Sequence, residues 1–166
     1  MVLPMRADKK QRTVVDETNN RLFFRFFQAS NTLQTMSTRA LEEFGVTSTQ
    51  WSVLGALSRP QAAEGMTVGE LSQYLLVSRQ NLNGVLNRLE RDSLVMRAVS
   101  HADRRERRVT LSSHGRELWS KLAEPINTFY EHALRGFSDA DRQAFIRQIT
   151  LIQKNMADTE GHGTEL

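Results

Sequence analysis

Apolar residues recur at helical spacing along the first part of the chain. From Asn20 onward they repeat about every three or four residues, which is the pattern of one buried helix face. The positions that carry this pattern are Leu22, Phe26, Leu33, Met36, Ala40 and Leu41. Gly45 can end the helix in the left-handed conformation. Residues 1–19 have no such period and are expected to form a flexible N-terminal arm.

Two short helices with strong start signals follow. Thr47 and Gln50 have the spacing of a capping box, in which two side chains satisfy free backbone N–H groups at a helix start. Pro60 ends the helix that begins there. Thr67 and Glu70 repeat the capping-box spacing for a third helix. The sequence therefore predicts two short helices with well-defined beginnings.

A fourth helix, predicted over residues 79–92 with Ser78 as its N-cap, has two unlike faces. The apolar stripe consists of Leu82, Val85, Leu86 and Leu89. The polar face consists of Gln80, Asn83, Gly84, Asn87 and Arg91, with Arg79 and Arg88 at its margins. Residues 79–88 include no acidic side chain, whereas an ordinary solvated helix alternates Glu with Lys. This face favours contact with a polyanion.

Arginines are concentrated in the segment after this helix. Residues 94–99 and 107–111 have the composition of two strands, and residues 100–106 form the polar loop between them. The charged residues are Arg97, Arg104, Arg105, Arg107 and Arg108, against Asp103 and Glu106. A guanidinium group at a hairpin tip suits the narrow minor groove of DNA. Two short helices followed by such a wing predict a winged helix-turn-helix that binds double-stranded DNA.

Long helices are predicted for the rest of the chain. One runs from Ser113 to about Gly136, and the last begins near Ser138. Residues 158–166 are expected to form a frayed tail. The expected fold class is therefore mainly α, with a small β-hairpin wing.

Composition and charge narrow the class of protein. The chain of 166 residues is 39% hydrophobic and 25% charged, with a net charge of +3, which is ordinary for a folded soluble domain. It has no cysteine, which excludes disulfides, thiolate nucleophiles and sensing by cysteine oxidation. No apolar run approaches the ~18–20 residues of a membrane span, and the first residues lack a secretory signal. We therefore expect a cytoplasmic protein.

Other classes of function find little support in the sequence. The histidines are scattered, without a neighbour at metal-ligand or nucleophile spacing, so we expect no enzyme, no metal site and no cofactor. They are His101, His114, His132 and His162. A metal-responsive regulator would have to build on His101 with Asp103 or on Glu131 with His132, and neither pair makes a site. A helical protein-interaction module is an alternative, but it has little need of the arginine-rich wing.

The ordered set of these pieces resembles the MarR family of bacterial transcriptional regulators. The matching segments are residues 45–51, 67–71, 78–81 and 89–92, and most specifically Asp103-Arg104-Arg105 followed by residues 109–112 and Gly115. The resemblance covers about residues 20–157 as one domain. It implies a winged helix-turn-helix over residues 46–112, between dimerisation helices over residues 20–44 and 113–157. It further implies a homodimer on a pseudo-palindromic operator, acting by default as a repressor.

The resemblance also implies which residues contact DNA. Arg105 is the minor-groove finger, Asp103 orients a basic group through an ion pair, and Arg104 contacts a phosphate or replaces the finger. The recognition-helix contacts are Arg79, Gln80, Asn81, Asn83, Gly84 and Arg88. Asn and Gln match adenine edges, and Arg matches guanine. Ser78 and the backbone N–H groups beside it can hold a phosphate.

Many members of this family are repressors released by small phenolic or aromatic carboxylate ligands. The candidate pocket here is formed by Phe23, Phe24, Phe26 and Phe27, with Arg25 as the carboxylate partner. Aromatic residues at helical spacing are also typical of a core or of a dimer interface. A regulator that binds DNA independently of any ligand is therefore the alternative.

Overall fold

The chain is built mainly of helices, with one β-hairpin. The computed structural model describes residues 15–99 and 107–161, which contain six α-helices, a short 3-10 helix and two strands. The helices are α1 (Glu17–Glu42), α2 (Ser48–Ser58), α3 (Val68–Leu75), α4 (Arg79–Arg91), α5 (Ser113–Ala133) and α6 (Asp139–Gly161), and the 3-10 helix is Pro60–Ala62. The antiparallel strands are β1 (Val95–Val99) and β2 (Arg107–Leu111). The predicted fold class is confirmed.

The two outermost helices are longer than their apolar patterns indicate. α1 begins at Glu17 rather than at Asn20, because the Asp16 carboxylate accepts a hydrogen bond from the Asn19 N–H at 2.8 Å. Glu17 adds a favourable charge at the positive end of the helix dipole. Because α6 continues to Gly161, residues 158–161 of the predicted tail are helical. The remaining residues of the predicted arm and tail lie mostly outside the described residues.

Both predicted capping boxes are formed. The Thr47 hydroxyl accepts from the Gln50 N–H at 3.2 Å, and the Gln50 side chain accepts from the Thr47 N–H at 2.9 Å. The corresponding distances between Thr67 and Glu70 are 3.1 and 2.7 Å. These reciprocal bonds satisfy donors that the first turn of a helix leaves free. They explain why α2 and α3 begin where the sequence predicts.

The chain forms two compact units that divide after Leu122, within α5. The first unit contains α1 to α4, the hairpin and the first half of α5. Its largest fully buried side chains are Leu54, Leu71, Leu82, Leu86, Leu89, Leu122, Val53, Val95 and Val109. The predicted apolar stripe of α4 is buried along its whole length. Burying one such leucine contributes about 2 kcal/mol, so this stripe fixes the rotation of α4 about its axis.

The loop before α3 is attached to the hairpin. Met66 and Val109 form an isolated antiparallel bridge. The Met66 N–H donates to the Val109 carbonyl at 3.0 Å, and the Val109 N–H donates to the Met66 carbonyl at 2.8 Å. Gly65 adopts a left-handed φ of +80°, and a Cβ added there would lie 2.8 Å from the Val109 carbonyl oxygen. Only glycine fits this contact without displacement of the backbone. The start of α3 and strand β2 are thereby held together as one structural element.

An ion pair reinforces this attachment. The Arg108 guanidinium donates to the Gly65 carbonyl at 2.9 Å and lies 3.6 Å from the Glu70 carboxylate. The backbone hydrogen bond from Thr67 lowers the pKa of Glu70 from its ordinary value of 4.5, with further lowering by the Thr67 hydroxyl and by Arg108, although desolvation opposes them. A carboxyl group whose pKa is lower in the folded state stabilises the fold in its ionised form.

We expect Glu70→Gln to destabilise the protein near pH 7 by about 0.5 kcal/mol, because the amide keeps a capping oxygen but loses the charge. The wild-type advantage is present above the ordinary pKa of Glu and is lost as the pH falls through the lowered folded-state pKa of Glu70. Urea denaturation at pH 7 and at pH 3, at one protein concentration, measures both differences. An equal difference at the two pH values would show that the charge is irrelevant.

Candidate nucleic-acid interface

α4 exposes a continuous polar face beside its buried apolar stripe. The predicted contact residues on this helix are all exposed in the structure, namely Arg79, Gln80, Asn81, Asn83, Gly84 and Arg88. Asn87 is exposed between them as well. It belongs to the predicted polar face but not to the predicted DNA contacts. From Arg79 to Leu89 no carboxylate interrupts this face. A helix of this kind can enter the major groove of DNA.

The turn between α3 and α4 is fixed by local bonds. Leu76 ends α3 in the left-handed conformation, at a φ of 55°. The Ser72 hydroxyl donates to the Val77 carbonyl at 2.7 Å, and the Ser78 hydroxyl caps α4 by accepting from the Asn81 N–H at 3.2 Å. Two short helices joined by such a turn form a helix-turn-helix. The contact of Ser78 with a phosphate stays a prediction.

Two arginines at the margins of α4 lie along the protein surface. Arg88 donates through Nε to the Gly84 carbonyl at 3.2 Å, one turn earlier on the same helix. The Arg79 guanidinium reaches back to the start of α3, where a Cβ added at Gly69 would lie 3.3 Å from it. Both side chains stay exposed, so both can still contact an anion.

The wing contributes fewer free cations than its arginine content indicates. Arg97 pairs with Asn87 and Glu90 of α4, and Arg108 pairs with Glu70 and the Gly65 carbonyl. Their side chains are only 27% and 26% exposed, whereas Arg107 is exposed. Asn87 Oδ1 accepts a hydrogen bond from Arg97 and the Gly65 carbonyl accepts one from Arg108, so these two guanidinium groups are less available to a phosphate than an exposed arginine is. The residues predicted for the wing tip, Asp103, Arg104 and Arg105, lie outside the described residues.

The predicted ligand residues form an uncovered apolar surface on α1 of the single chain. Phe23, Phe24, Phe26 and Phe27 are between 40% and 61% exposed. Arg25 is also exposed and donates to the Gln28 side chain at 3.3 Å. The only buried residue of the 26-residue helix is Leu41. A ligand pocket at these residues stays a prediction, because the single chain leaves them open to solvent.

The described part of the chain has neither a membrane-spanning helix nor a metal-binding cluster. None of its helices is long and apolar enough to cross a bilayer. In residues 15–99 and 107–161, no three His, Cys, Asp or Glu side chains come together as a metal site would require.

A helix-turn-helix with a hairpin wing, whose second helix exposes a polar face without carboxylates from Arg79 to Leu89, defines the class of winged-helix DNA-binding proteins. The sequence model of the MarR family matches residues 44–106. Over 141 residues the chain is 48% identical to the transcriptional activatory protein BadR of Rhodopseudomonas palustris, covering 84% of this chain and 81% of that protein. The chain therefore belongs to the MarR family of DNA-binding transcriptional regulators, as its wing and helix motifs indicate.

Solved structures share the fold at lower sequence identity. The S. aureus MepR–DNA complex matches with a TM-score of 0.71 and 21% identity, covering 79% of this chain and 93% of that one. CouR from Rhodococcus jostii RHA1, bound to p-coumaroyl-CoA, matches with a TM-score of 0.74 and 20% identity, covering 83% and 95%. These structures confirm the winged-helix fold. BadR is named as a transcriptional activatory protein, and none of these three proteins is named as an enzyme.

Gly84 offers a test that separates DNA contact from folding. An added Cβ would meet no protein atom within 4 Å, so Gly84→Ala is expected to stabilise the protein by up to about 1 kcal/mol. The same methyl group projects from the exposed face of α4 and is expected to weaken operator binding about tenfold by holding the helix off the groove. Urea denaturation and fluorescence anisotropy measure the two effects. A stabilised variant with undiminished affinity would place Gly84 outside the contact.

Proposed function

We propose that the protein is a homodimeric, sequence-specific regulator in the cytoplasm, without catalytic activity, and that it binds a pseudo-palindromic operator. α4 of each protomer enters a major groove, and the wing tips reach the adjacent minor grooves. The observation that carries this proposal is the exposed face of α4, which has no carboxylate from Arg79 to Leu89, opposite its buried stripe. In this arrangement Arg79, Gln80, Asn81, Asn83, Gly84 and Arg88 contact bases or phosphates, and Ser78 a phosphate.

Uncovered apolar surface supports the homodimer. α1 exposes Leu22, Leu33 and Met36 besides its phenylalanines. Between residues 139 and 159, α6 has no buried residue, and it exposes Phe145, Ile146, Leu151 and Met156. Apolar surface of this extent is typical of a protein–protein interface. The first and last helices therefore supply the dimerisation region, and a mass of twice 19.0 kDa is expected in light scattering.

The operator is found by selection from a random duplex library. Two protomers related by a two-fold axis are expected to enrich a pseudo-palindrome whose half-sites lie about 10 base pairs apart, one turn of the double helix. Enrichment of a single asymmetric site would contradict the dimeric mode of binding. Enrichment of no sequence at all would contradict specific recognition.

A small aromatic acid, or its thioester, is the proposed effector. The similar fold of CouR holds p-coumaroyl-CoA, and the exposed phenylalanines around Arg25 offer an apolar surface with one cation. The residues proposed to bind the effector are Phe23, Phe24, Arg25, Phe26 and Phe27. The four phenylalanines also serve the proposed interface, so the pocket would lie where α1 meets the partner protomer.

We expect hydroxybenzoates, hydroxycinnamates or p-coumaroyl-CoA to change operator affinity at least about tenfold, which is a coupling of about 1.4 kcal/mol. Arg25→Gln should remove this response while operator binding without effector stays unchanged. Arg39→Gln, which removes the same charge elsewhere on α1, is the matched control and should respond like the wild type. Affinity unchanged by every compound would favour the ligand-independent regulator.

The direction of regulation has two candidates. Repression with release by the effector is the default that the family resemblance implies. Activation is supported by the 48% identical relative, which is an activatory protein. A reporter gene under the selected operator distinguishes them, because deletion of the regulator raises expression in the first case and lowers it in the second.

A further inference from the structure

An arginine of β1 holds one side chain of the recognition helix. Arg97 Nη2 donates to Asn87 Oδ1 at 2.8 Å, and Arg97 Nε lies 3.6 Å from Glu90 Oε2. Asn87 and Glu90 are about one turn apart on α4, so one guanidinium spans both. The Arg97 side chain is 27% exposed, which limits the competition of water for these contacts. The wing and the recognition helix are therefore joined through Asn87.

This contact determines which atoms Asn87 presents to solvent. A guanidinium group carries only donors, so the Asn87 atom that faces it must be the carbonyl oxygen. The amide NH2 group then points away from Arg97. An asparagine that reads adenine needs an acceptor and a donor side by side. With its oxygen held by Arg97, Asn87 is set up as a donor instead.

We infer that Asn87 donates a hydrogen bond to an acceptor atom of the operator and that Arg97 is its positioning residue. The inference rests on the proposed function, since it assigns one further contact to the same helix. Suitable acceptors are N7 of a purine, O6 of guanine, O4 of thymine or a phosphate oxygen. Arg97 acts through Asn87 rather than on DNA, because its Nη2 is already hydrogen-bonded to Asn87 and its buried Nε faces the Glu90 carboxylate at 3.6 Å, beyond hydrogen-bond distance.

The test uses double-variant cycles on the selected operator, measured by fluorescence anisotropy. The reference protein is the single variant Glu90→Gln, and every other variant is made in it. Removal of Arg97 then leaves no unpaired carboxylate near DNA. Asn87→Ala is expected to lower operator affinity about tenfold. Arg97→Met is expected to lower it about fivefold in the reference and to have no effect once Asn87 is alanine. Arg97→Lys, which keeps a donor, should restore part of the loss.

Asn87→Asp replaces the exposed NH2 donor with a carboxylate oxygen, which is an acceptor, and it keeps an oxygen toward Arg97. We expect a loss of at least about 100-fold in operator affinity with unchanged urea stability. Gln61→Glu, at an exposed position of the 3-10 helix outside the proposed DNA contacts and the proposed dimerisation region, introduces the same charge and should bind like the reference. This control separates the local change from the effect of net charge.

Operators with single substitutions identify the acceptor. If it is a base, Asn87→Ala removes discrimination at one base pair in each half-site. If it is a phosphate, the variant weakens all operators equally. The inference is overturned if Asn87→Ala binds like the reference, if the effect of Arg97→Met persists without Asn87, or if recognition depends on the 6-amino group of an adenine. A reference protein that does not distinguish the operator from scrambled DNA contradicts the proposed function itself.

Discussion

Replacement of both Arg104 and Arg105 by alanine is expected to lower operator affinity by at least about 100-fold. In the proposed mode of binding, one of these arginines enters the minor groove and its neighbour contacts a phosphate. Each contact is worth about 1–3 kcal/mol, and 1.4 kcal/mol corresponds to a factor of ten. The loss should be large because the wing arginines Arg97 and Arg108 are bound to protein groups and cannot take over.

The matched control for this variant removes the same charge outside the winged unit. Arg142→Ala with Arg147→Ala changes two exposed arginines of α6. Because α6 belongs to the proposed dimerisation region, light scattering first compares the mass of this variant with that of the wild type, and at equal mass its operator affinity should stay within a factor of three of the wild type. Anisotropy titrations at several salt concentrations should also give a slope of log affinity that is shallower by about two for the wing variant. A wing variant that binds like its control would remove the wing tip from the DNA contact.

Gly115→Ala is expected to destabilise the protein by about 3 kcal/mol or more. Gly115 is buried at the start of α5, and an added Cβ would collide with the backbone carbonyl of Leu94. The same carbonyl accepts from the Ser112 N–H at 3.1 Å, and the Ser112 hydroxyl donates to the Ser93 carbonyl at 2.6 Å. A backbone obstacle held by such bonds cannot rotate away, so the strand and the helix must separate.

The comparison with Gly84→Ala makes this prediction specific. Both substitutions place a methyl group on a helical glycine, yet one meets the Leu94 carbonyl and the other meets open space. Urea denaturation should give changes of opposite sign, because the first methyl group collides with backbone and the second only raises helix propensity. Both variants are measured at one protein concentration, since the stability of the proposed dimer would depend on concentration. Equal stabilities of Gly115→Ala and the wild type would mean that the junction of β1 with α5 is looser than the structure indicates.

Features that depend on neighbouring residues could be predicted from the sequence. The capping boxes at Thr47 and Thr67 fixed the starts of α2 and α3 because both partners lie three residues apart. The rotation of α4 followed from its leucine and valine spacing. The cap at Asp16 was visible in the sequence as well, but the apolar period begins only after it, so the start of α1 was placed three residues late.

Features that depend on distant residues could not be predicted. Arg108 meets Gly65 across 43 positions, and Met66 meets Val109 across a similar distance in the chain. The sequence places Arg97 and Arg108 among the charged residues of the wing and does not show which groups they bind. Only the folded arrangement distinguishes Arg97, which positions Asn87, from a residue that contacts DNA. The sequence therefore predicted which face of α4 is exposed, but not how the polar side chains on that face are oriented.

Sequence-specific binding of double-stranded DNA is the central claim, and one measurement tests it most directly. Fluorescence anisotropy compares the wild-type protein on the DNA upstream of its own gene with scrambled DNA of the same length, over a series of salt concentrations. We predict affinity at least about 1,000-fold higher for the upstream DNA at physiological salt, weakening steeply as salt is raised. Equal and weak binding to both DNAs at every salt concentration would contradict the account.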